Sequence, residues 1–416
     1  MSQNRLFSIS VGLAIAPALS KRRLQRAGIV VIVFASIILT AQAQSFSVLY
    51  NFTGGRDGAE PAGQLVMDSA GSLYIGTSTG GSDGFGTVIK LKHTSGGWVL
   101  QPLYDFAGTD GGSIAYITLA PNGSVYGASS GGGSGNCGTV FNLRPSPTPP
   151  TTSLSPWELT VLHWFGGGVD GCGPAGAPIF DHMGNLYGAT VFGGPQGGDG
   201  TVYELVRSGS SYTEEILYSF GAGGNGALPS AGLAFDSVGS LYGVTAGGGQ
   251  YGNVFKLTNS GSGWTESVLY DFTNGNDGGD PATALILDGS GNLYGTTETG
   301  GVGGGTVFKL TAGSWTYSVL VSLTGAGGPQ GGELTMDASG NIYGTTYGDG
   351  AHNLGSVFSL TPSDGSYTYT DLHDFTGGSD GRNPLGGVTL DSNGNLYGTA
   401  SGGGTHGDGV IWEVTR

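Results

Sequence analysis

The stretch Asp391-Ser-Asn-Gly-Asn-Leu-Tyr-Gly398 is one of seven related copies of a single phrase in this chain. Each copy continues through a Gly-rich stretch into a segment like Thr-Val-Phe-Lys-Leu, and then into an aromatic-led segment that closes on Leu-Tyr-Asp-Phe. A period of about 50 residues built from short strands is typical of a propeller or a solenoid. The tyrosine of the phrase recurs at Tyr74, Tyr126, Tyr187, Tyr242, Tyr294, Tyr343 and Tyr397.

Composition alone would suggest a different class of protein. The 416 residues include 86 Gly and 17 Pro, a share close to that of low-complexity, disordered chains. The period overturns that interpretation, because each copy returns to β-branched and aromatic clusters in runs that suit strands. With 38% hydrophobic residues, the chain can bury a sizeable core.

One repeat shows the strands of a single unit. The run Gly-Leu-Ala-Phe before Asp236 predicts a first strand, and residues 241–245, 253–258 and 264–272 predict three more. Between the first two, Ser237-Val-Gly-Ser predicts a tight turn whose Gly can take positive φ. Four antiparallel strands joined by short turns make one propeller blade.

The two ends of the repeat array complement each other. Phe46-Ser-Val-Leu-Tyr-Asn-Phe52 is a fourth-type strand with no blade before it, and Val410-Ile-Trp-Glu-Val414 is a third-type strand with no fourth strand after it. Pairing them predicts an all-β, seven-bladed β-propeller over residues 44–416, its last blade closed by the N-terminal strand. Closure removes the open sheet edges that invite aggregation, whereas the alternative, an open β-solenoid, leaves both ends unpaired.

Two segments stand apart from the repeats. Residues 1–43 combine the basic cluster Lys21-Arg22-Arg23, an apolar run and a small-x-small site at Ala41-Gln42-Ala43, which predicts a cleaved signal peptide. An uncleaved membrane anchor is the alternative, but the apolar run is shorter than the ~20 residues of a spanning helix. We expect a protein that is secreted, periplasmic or at the cell surface. Residues 144–156 form a proline-rich insertion that predicts an exposed loop between the third and fourth strands of the second blade.

Charge narrows the range of partners. Outside positions 1–43 the chain has 9 basic and 30 acidic residues, a formal net charge of −21. Such a surface repels phosphate backbones and anionic lipids, so we expect no nucleic acid partner. No later segment is apolar enough to span a membrane, and neutral glycans and divalent cations remain compatible partners.

The chain has two cysteines, Cys137 and Cys172. Strand alternation places them in loops on the same face of adjacent blades, and the chain carries an export signal. We therefore predict a disulfide between them.

Most repeated positions are explained by packing. The seven tyrosines, the phenylalanines that close the fourth strands and the aromatics that begin these strands are expected between blades. The carboxylates at the turns are expected to accept hydrogen bonds from their own turn. These turn residues are Asp68, Asp181, Asp236, Asp288, Asp337 and Asp391.

A second series of aspartates predicts a metal site. They follow the closing phenylalanine by four or five residues, in loops expected to converge at one mouth of the central channel, and gathered carboxylates could hold calcium. The alternative is that each Asp only turns the chain. The candidates are Asp57, Asp110, Asp170, Asp277 and Asp380, with Asn225 at an equivalent position and Gly328 breaking the series.

Enzyme signatures are weak. Two G-x-S-x-G matches, at Gly80 and Gly377, lack a strand-to-helix context, and the six histidines do not fall at metal-ligand spacing. Sites assembled from distant loops would not be visible in such a search. Carboxylates with a His or Arg in a deep pocket would indicate an enzyme, whereas a shallow mouth lined by Gly and amides would indicate binding.

The repeats resemble a known family. Asp288-Gly-Ser-Gly-Asn-Leu-Tyr-Gly-Thr-Thr297 and Gly304-Gly-Thr-Val-Phe-Lys-Leu-Thr311 are similar to the Gloeo/Verruco (GloVer) tandem repeat of exported bacterial proteins. That resemblance supplies no catalytic residues. We expect a monomeric binding or adhesion module for a polysaccharide or a surface protein, with no cofactor except calcium if the aspartates bind it. The alternatives are an extracellular polysaccharide lyase or hydrolase acting at the channel mouth, and a purely structural envelope protein.

Overall fold

The structure, a computed structural model, describes residues 44–146, 157–221, 226–325, 327–329 and 332–416. In this part of the chain, antiparallel strands form seven sheets, and the molecule is the predicted seven-bladed β-propeller. The predicted signal peptide, residues 147–156 of the proline-rich insertion and Asn225 lie outside the described residues. No helix within the described ranges is long and apolar enough to cross a membrane.

Each blade runs outward from the first strand to the fourth, and we number the blades by their first strands. The second strands are Leu73–Thr79, Val125–Gly131, Leu186–Phe192, Leu241–Gly247, Leu293–Thr297, Ile342–Thr346 and Leu396–Ala400. The third strands are Thr87–Thr94, Thr139–Pro145, Thr201–Ser208, Asn253–Asn259, Thr306–Thr311, Ser356–Ser363 and Val410–Thr415. The fourth strands of blades 1 to 6 are Gly97–Asp105, Trp157–Trp164, Ser211–Ser219, Trp264–Asp271, Thr316–Ser322 and Ser366–Asp374, and that of blade 7 is Ser45–Asn51.

The first strands, which line the channel, are broken in three blades and very short in three others. Blade 2 has one continuous strand, Gly112–Leu119, whereas blades 1, 3 and 4 each have two short segments. A proline cannot donate to the strand ladder, and blade 2 has Ile114 where the broken strands have Pro61, Pro174 and Pro229. The two-segment strands are Ala59–Pro61 with Val66–Met67, Cys172–Pro174 with Ile179–Phe180, and Ala227–Pro229 with Ala234–Phe235; blades 5 to 7 have Ile286–Leu287, Thr335–Met336 and Thr389–Leu390.

The N-terminal strand closes the ring as predicted. Ser45–Asn51 pairs antiparallel with Val410–Thr415, with Phe46 opposite Val414 and Val48 opposite Trp412. The blade therefore takes its first three strands from the end of the chain and its fourth from the beginning.

Every fourth strand has a bulge at the same place. The register shifts at the leucine of the Leu-Tyr frame, as at Leu49 between Val48 and Tyr50 and at Leu162 between Val161 and His163. A bulge re-aims the side chains that follow it. The residue after each leucine therefore points toward the loop that leads to the next blade.

The core lies between the blades. The closing phenylalanines are buried, which confirms the packing interpretation: Phe52, Phe106, Phe165, Phe220, Phe272 and Phe375. The repeated tyrosines are buried or half-buried. In blade 4, for example, the hydroxyl of Tyr242 donates to Asp236 at 3.0 Å, while the same carboxylate accepts from the backbone N–H groups of Val238 and Ser240.

Backbone hydrogen bonds also join neighbouring blades. The N–H of Leu228 in blade 4 donates to the carbonyl of Asp199 in blade 3 at 2.7 Å, and that of Glu60 in blade 1 donates to Asp408 in blade 7 at 3.0 Å. Leu228 and Glu60 both have φ in the left-handed region. This conformation is costly for non-glycine residues, and here it directs an N–H group across the junction.

Candidate functional site

The aspartates predicted to bind calcium are placed in the loops between blades. At Asp57, Oδ2 accepts from the N–H of Thr53 at 2.8 Å and from the hydroxyl of Tyr50 at 2.9 Å, while Oδ1 accepts from the hydroxyl of Thr53 at 2.6 Å. The other four carboxylates likewise accept from a backbone N–H of their own loop: Asp110, Asp170, Asp277 and Asp380.

These aspartates are not gathered around a common ion. All five lie within the described ranges, and no three of them have carboxylate oxygens close enough to bind the same metal ion. Burial opposes ionisation at Asp277, but hydrogen bonds from Thr273 and Tyr270 outweigh it and lower its pKa. These contacts favour the alternative that each Asp shapes its own loop, and calcium binding by the aspartates stays a prediction.

Most of these aspartates pair with the residue after the leucine bulge. Tyr104 donates to Asp110 at 2.6 Å, and Tyr270 donates to Asp277 at 3.0 Å. Blade 5 has neither partner, because Val321 stands at the position of the tyrosine and Gly328 at that of the aspartate.

In blades 2 and 6, histidine replaces this tyrosine. Nε2 of His373 lies 3.3 Å from Oδ2 of Asp380, which retains a polar pair like that of the tyrosine blades. Nε2 of His163 lies 3.8 Å from Oδ2 of Asp170, beyond hydrogen-bond distance.

His163 instead belongs to a cluster of three side chains at the junction of blades 2 and 3. It lies near the end of the fourth strand of blade 2, Asp170 ends the 3-10 turn Gly168–Asp170, and Glu214 lies on the fourth strand of blade 3. Nε2 of His163 is 3.6 Å from Oε1 of Glu214, and the three potential ligand atoms all lie within 4.8 Å of one another. Within the described part of the chain, this is the one group of three or more His, Cys, Asp or Glu residues with such geometry.

Two polar atoms of this cluster lack hydrogen bonds. Nε2 of His163 and Oε1 of Glu214 are buried and have no hydrogen-bond partner. Burial, together with the charge of Asp170, raises the pKa of Glu214 to about 8. Burial also lowers the pKa of His163, against the effect of Asp170. Both shifts favour the neutral forms of the two side chains, which weakens any salt bridge between them.

Sequence spacing could not reveal this cluster, because it joins two blades. Two signals were nevertheless present. His163 occupies the position of Tyr104, and Glu214 occupies the position held by Leu100 and Leu159 in the preceding blades.

The predicted disulfide lies at the same junction. Cys137 and Cys172 are bonded to each other, and the N–H of Gly173 donates to the carbonyl of Cys137 at 2.8 Å. Cys172 begins a first-strand segment of blade 3 rather than lying in the preceding loop. The disulfide therefore covalently links blades 2 and 3.

The central channel contains a cavity of about 220 Å³ lined by residues of the first strands and of the segments that interrupt or precede these strands. Glu333 supplies the one carboxyl group among the described lining residues, which include no His, Arg or Lys. Burial raises the pKa of Glu333 to about 7, and burial with the charge of Glu333 raises that of Tyr116 to about 12. Glycoside hydrolysis ordinarily uses two carboxyl groups, and the described lining of this cavity supplies one.

A larger groove of about 500 Å³ lies between blades 3 and 4. The turns between the first and second strands of these blades form its sides, and its lining includes the aromatic side chains of Phe180, Phe235 and Trp264. Polar groups of Asp181, His182 and Asn259 also line it.

The tips of these two turns differ from those of the other blades. Met183 and Val238 occupy the tips in blades 3 and 4 and are 71% and 84% exposed. The other five blades have small or polar residues there: Ala70, Asn122, Ser290, Ser339 and Asn393. Two large apolar residues are therefore exposed at the turn tips of adjacent blades, and Val238 lines the groove.

A protein-family model identifies the repeats. The model of the Gloeobacter/Verrucomicrobia repeat matches residues 35–253, 151–302 and 236–416. The chain belongs to the Gloeobacter/Verrucomicrobia repeat family. The predicted resemblance is therefore confirmed, and the Gloeobacter/Verrucomicrobia repeats here build one closed ring. No curated protein gives a significant match to the sequence.

Solved structures share the general architecture at low identity. An oxidoreductase (glucose dehydrogenase) from Thermus thermophilus is 14% identical, with a TM-score of 0.44 over 89% of this chain and 100% of that one. A gluconolactonase from Xanthomonas campestris is 13% identical, with a TM-score of 0.44 over 89% of each chain. A family AA12 carbohydrate-active enzyme from Trichoderma reesei is 12% identical, with a TM-score of 0.46 over 90% of this chain and 96% of that one. At these values the similarities carry no argument about activity.

Proposed function

We propose that this protein is an exported binding module that holds a neutral saccharide chain in the groove between blades 3 and 4. The observation that carries the proposal is the lining of this groove, which combines aromatic side chains with the exposed apolar turn tip Val238. A second exposed apolar tip, Met183, directly follows the lining residues Asp181 and His182 on the turn of blade 3. Export is supported by the disulfide, because disulfides persist in oxidising compartments.

The chemistry of the groove suits a sugar. Apolar C–H faces of a sugar ring can pack against Trp264 and the two turn tips. Its hydroxyls can bond Asn259 and His182, which are exposed at the groove. A neutral ligand also matches the acidic chain, which would repel an anionic polymer.

A glycan array with the mature protein tests the proposal. We expect binding to a neutral oligosaccharide, and at least tenfold weaker binding when Met183→Asn and Val238→Asn are combined. Asparagine is the natural tip residue of blade 7, Asn393, so the double variant should fold.

Ser290→Asn is the matched control, since it introduces the same residue at the turn tip of blade 5, away from the groove. It should bind like the wild type. Failure of every neutral glycan to bind, or equal binding by the double variant, would overturn the proposal. Capture of a protein partner that requires Met183 and Val238 would replace the saccharide with a protein ligand.

A further inference from the structure

The cluster of His163, Asp170 and Glu214 is the one group of its kind among the described residues. In blades 1, 4, 6 and 7 the tyrosine or histidine after the bulge meets its loop aspartate, as in Tyr104 with Asp110. The position equivalent to Glu214 is leucine in blades 1 and 2 and glutamate again, Glu266, in blade 4. A glutamate there buries a carboxyl group without a hydrogen-bond partner, which is unfavourable unless something else satisfies it.

We propose that His163, Asp170 and Glu214 bind one divalent transition-metal ion, with zinc as the best match. Zinc takes imidazole nitrogen and carboxylate oxygen ligands at about 2.0 to 2.2 Å. An ion between the three groups fits their separations, 3.8 Å from His163 to Asp170 and 3.6 Å from His163 to Glu214. The ion would supply the missing partner for both buried atoms.

The donor set distinguishes zinc from calcium. Calcium takes about six to eight oxygen ligands, whereas this cluster offers one imidazole and two carboxylates. Zinc with three protein ligands retains a position for water. The side chains of His163, Asp170 and Glu214 remain 19%, 24% and 12% exposed, so the cluster lies close to the surface although two of its ligand atoms are buried.

The location indicates a stabilising role. The ligands come from blade 2, from the connecting loop and from blade 3, so a bound ion would join the blades that the disulfide also joins. This inference does not depend on the saccharide groove, which lies between blades 3 and 4.

The repeat itself supplies conservative test variants. His163→Tyr introduces the residue of Tyr104, and Glu214→Leu introduces that of Leu159. His373→Tyr is the matched control, because His373 also faces an aspartate but belongs to no three-residue ligand cluster among the described residues.

The experiment is equilibrium dialysis of tag-free, metal-stripped mature protein against zinc, with metal content measured by mass spectrometry. We expect one zinc per chain in the wild type and in His373→Tyr. We expect at least tenfold weaker binding in His163→Tyr and in Glu214→Leu, and no stoichiometric calcium. Circular dichroism verifies that the variants fold.

A second readout separates the site from a folding defect. Zinc should raise the melting temperature of the wild type, as expected for a ligand that binds only the folded state, and should leave that of His163→Tyr unchanged. The proposal is overturned if the wild type binds no zinc, or if folded His163→Tyr and Glu214→Leu bind it as tightly as the wild type.

Discussion

Phe46, at the start of the chain's first strand, stacks on His373 of blade 6 with ring centroids 3.6 Å apart and an interplanar angle of 8°. Its strand belongs to blade 7. The N-terminal strand therefore completes one blade and also packs against the preceding blade, so closure depends on side-chain contacts as well as on strand pairing.

Loss of this strand should open the ring. Phe46→Ala should lower the free energy of unfolding by about 2 to 3 kcal/mol, at or below the lower end for a buried phenylalanine because Phe46 is half-buried. Deletion of residues 44–52 should cause aggregation, since it exposes a long sheet edge. Chemical denaturation measures the point variant, with the exposed Ser47→Ala as control. A soluble deletion variant with an unchanged melting temperature would contradict closure.

Reduction of the disulfide should destabilise the protein. Cys137 and Cys172 are 35 residues apart, and closing such a loop stabilises a protein by roughly 3 to 4 kcal/mol on the chain-entropy model. The double variant Cys137→Ala with Cys172→Ala should melt at a lower temperature and be insensitive to reductant. Two titratable thiols in the unreduced, denatured wild type would count against the bond.

Sequence periodicity predicted the parts of the fold that each repeat specifies for itself. The blades, the closure by Phe46 and the burial of Phe52 all follow from phase and pattern. The pairing of Cys137 with Cys172 was also predictable, because blade order determines which loops are neighbours.

The functional features were harder to predict because they depend on contacts between blades. Glu214 meets His163 only because a bulge and a blade junction bring them together, and sequence spacing encodes neither. The loop aspartates show a related limit. Their common position in the repeat does place them in equivalent loops, but each carboxylate also accepts a hydrogen bond from a backbone N–H of its own loop, which the spacing did not reveal.

The loop aspartates should act as local structural residues. Asp277→Ala removes the acceptor for Tyr270 and Thr273 and should cost about 1 to 2 kcal/mol of stability. The loss should be the same in millimolar calcium and in chelator, as measured by thermal melting. Asp83→Ala, at an exposed loop aspartate, should be neutral. A calcium-dependent stabilisation that disappears in Asp277→Ala would restore the calcium interpretation.

The channel carboxyl should make stability depend on pH. Glu333 has its pKa raised from 4.5 to about 7 by burial, so it is protonated in both states below about pH 4.5. As pH rises from 4.5 to 7 the unfolded chain loses this proton while the folded protein keeps it, and stability falls.

Glu333→Gln should remove this pH-dependent loss of stability, which is at most about 3 kcal/mol for a pKa shift of this size. Melting temperatures between pH 4.5 and 8 provide the measurement. The melting temperature of the variant should increase relative to that of the wild type as pH rises. A difference that stays constant across this range would show that Glu333 titrates normally.

The most direct test of the proposed function is a crystal structure of the mature protein with the neutral oligosaccharide that it binds most tightly on a glycan array. The account predicts a sugar ring in the groove between blades 3 and 4, in contact with Val238 and Trp264. A saccharide bound in the central channel beside Glu333, with the groove between blades 3 and 4 empty, would contradict it.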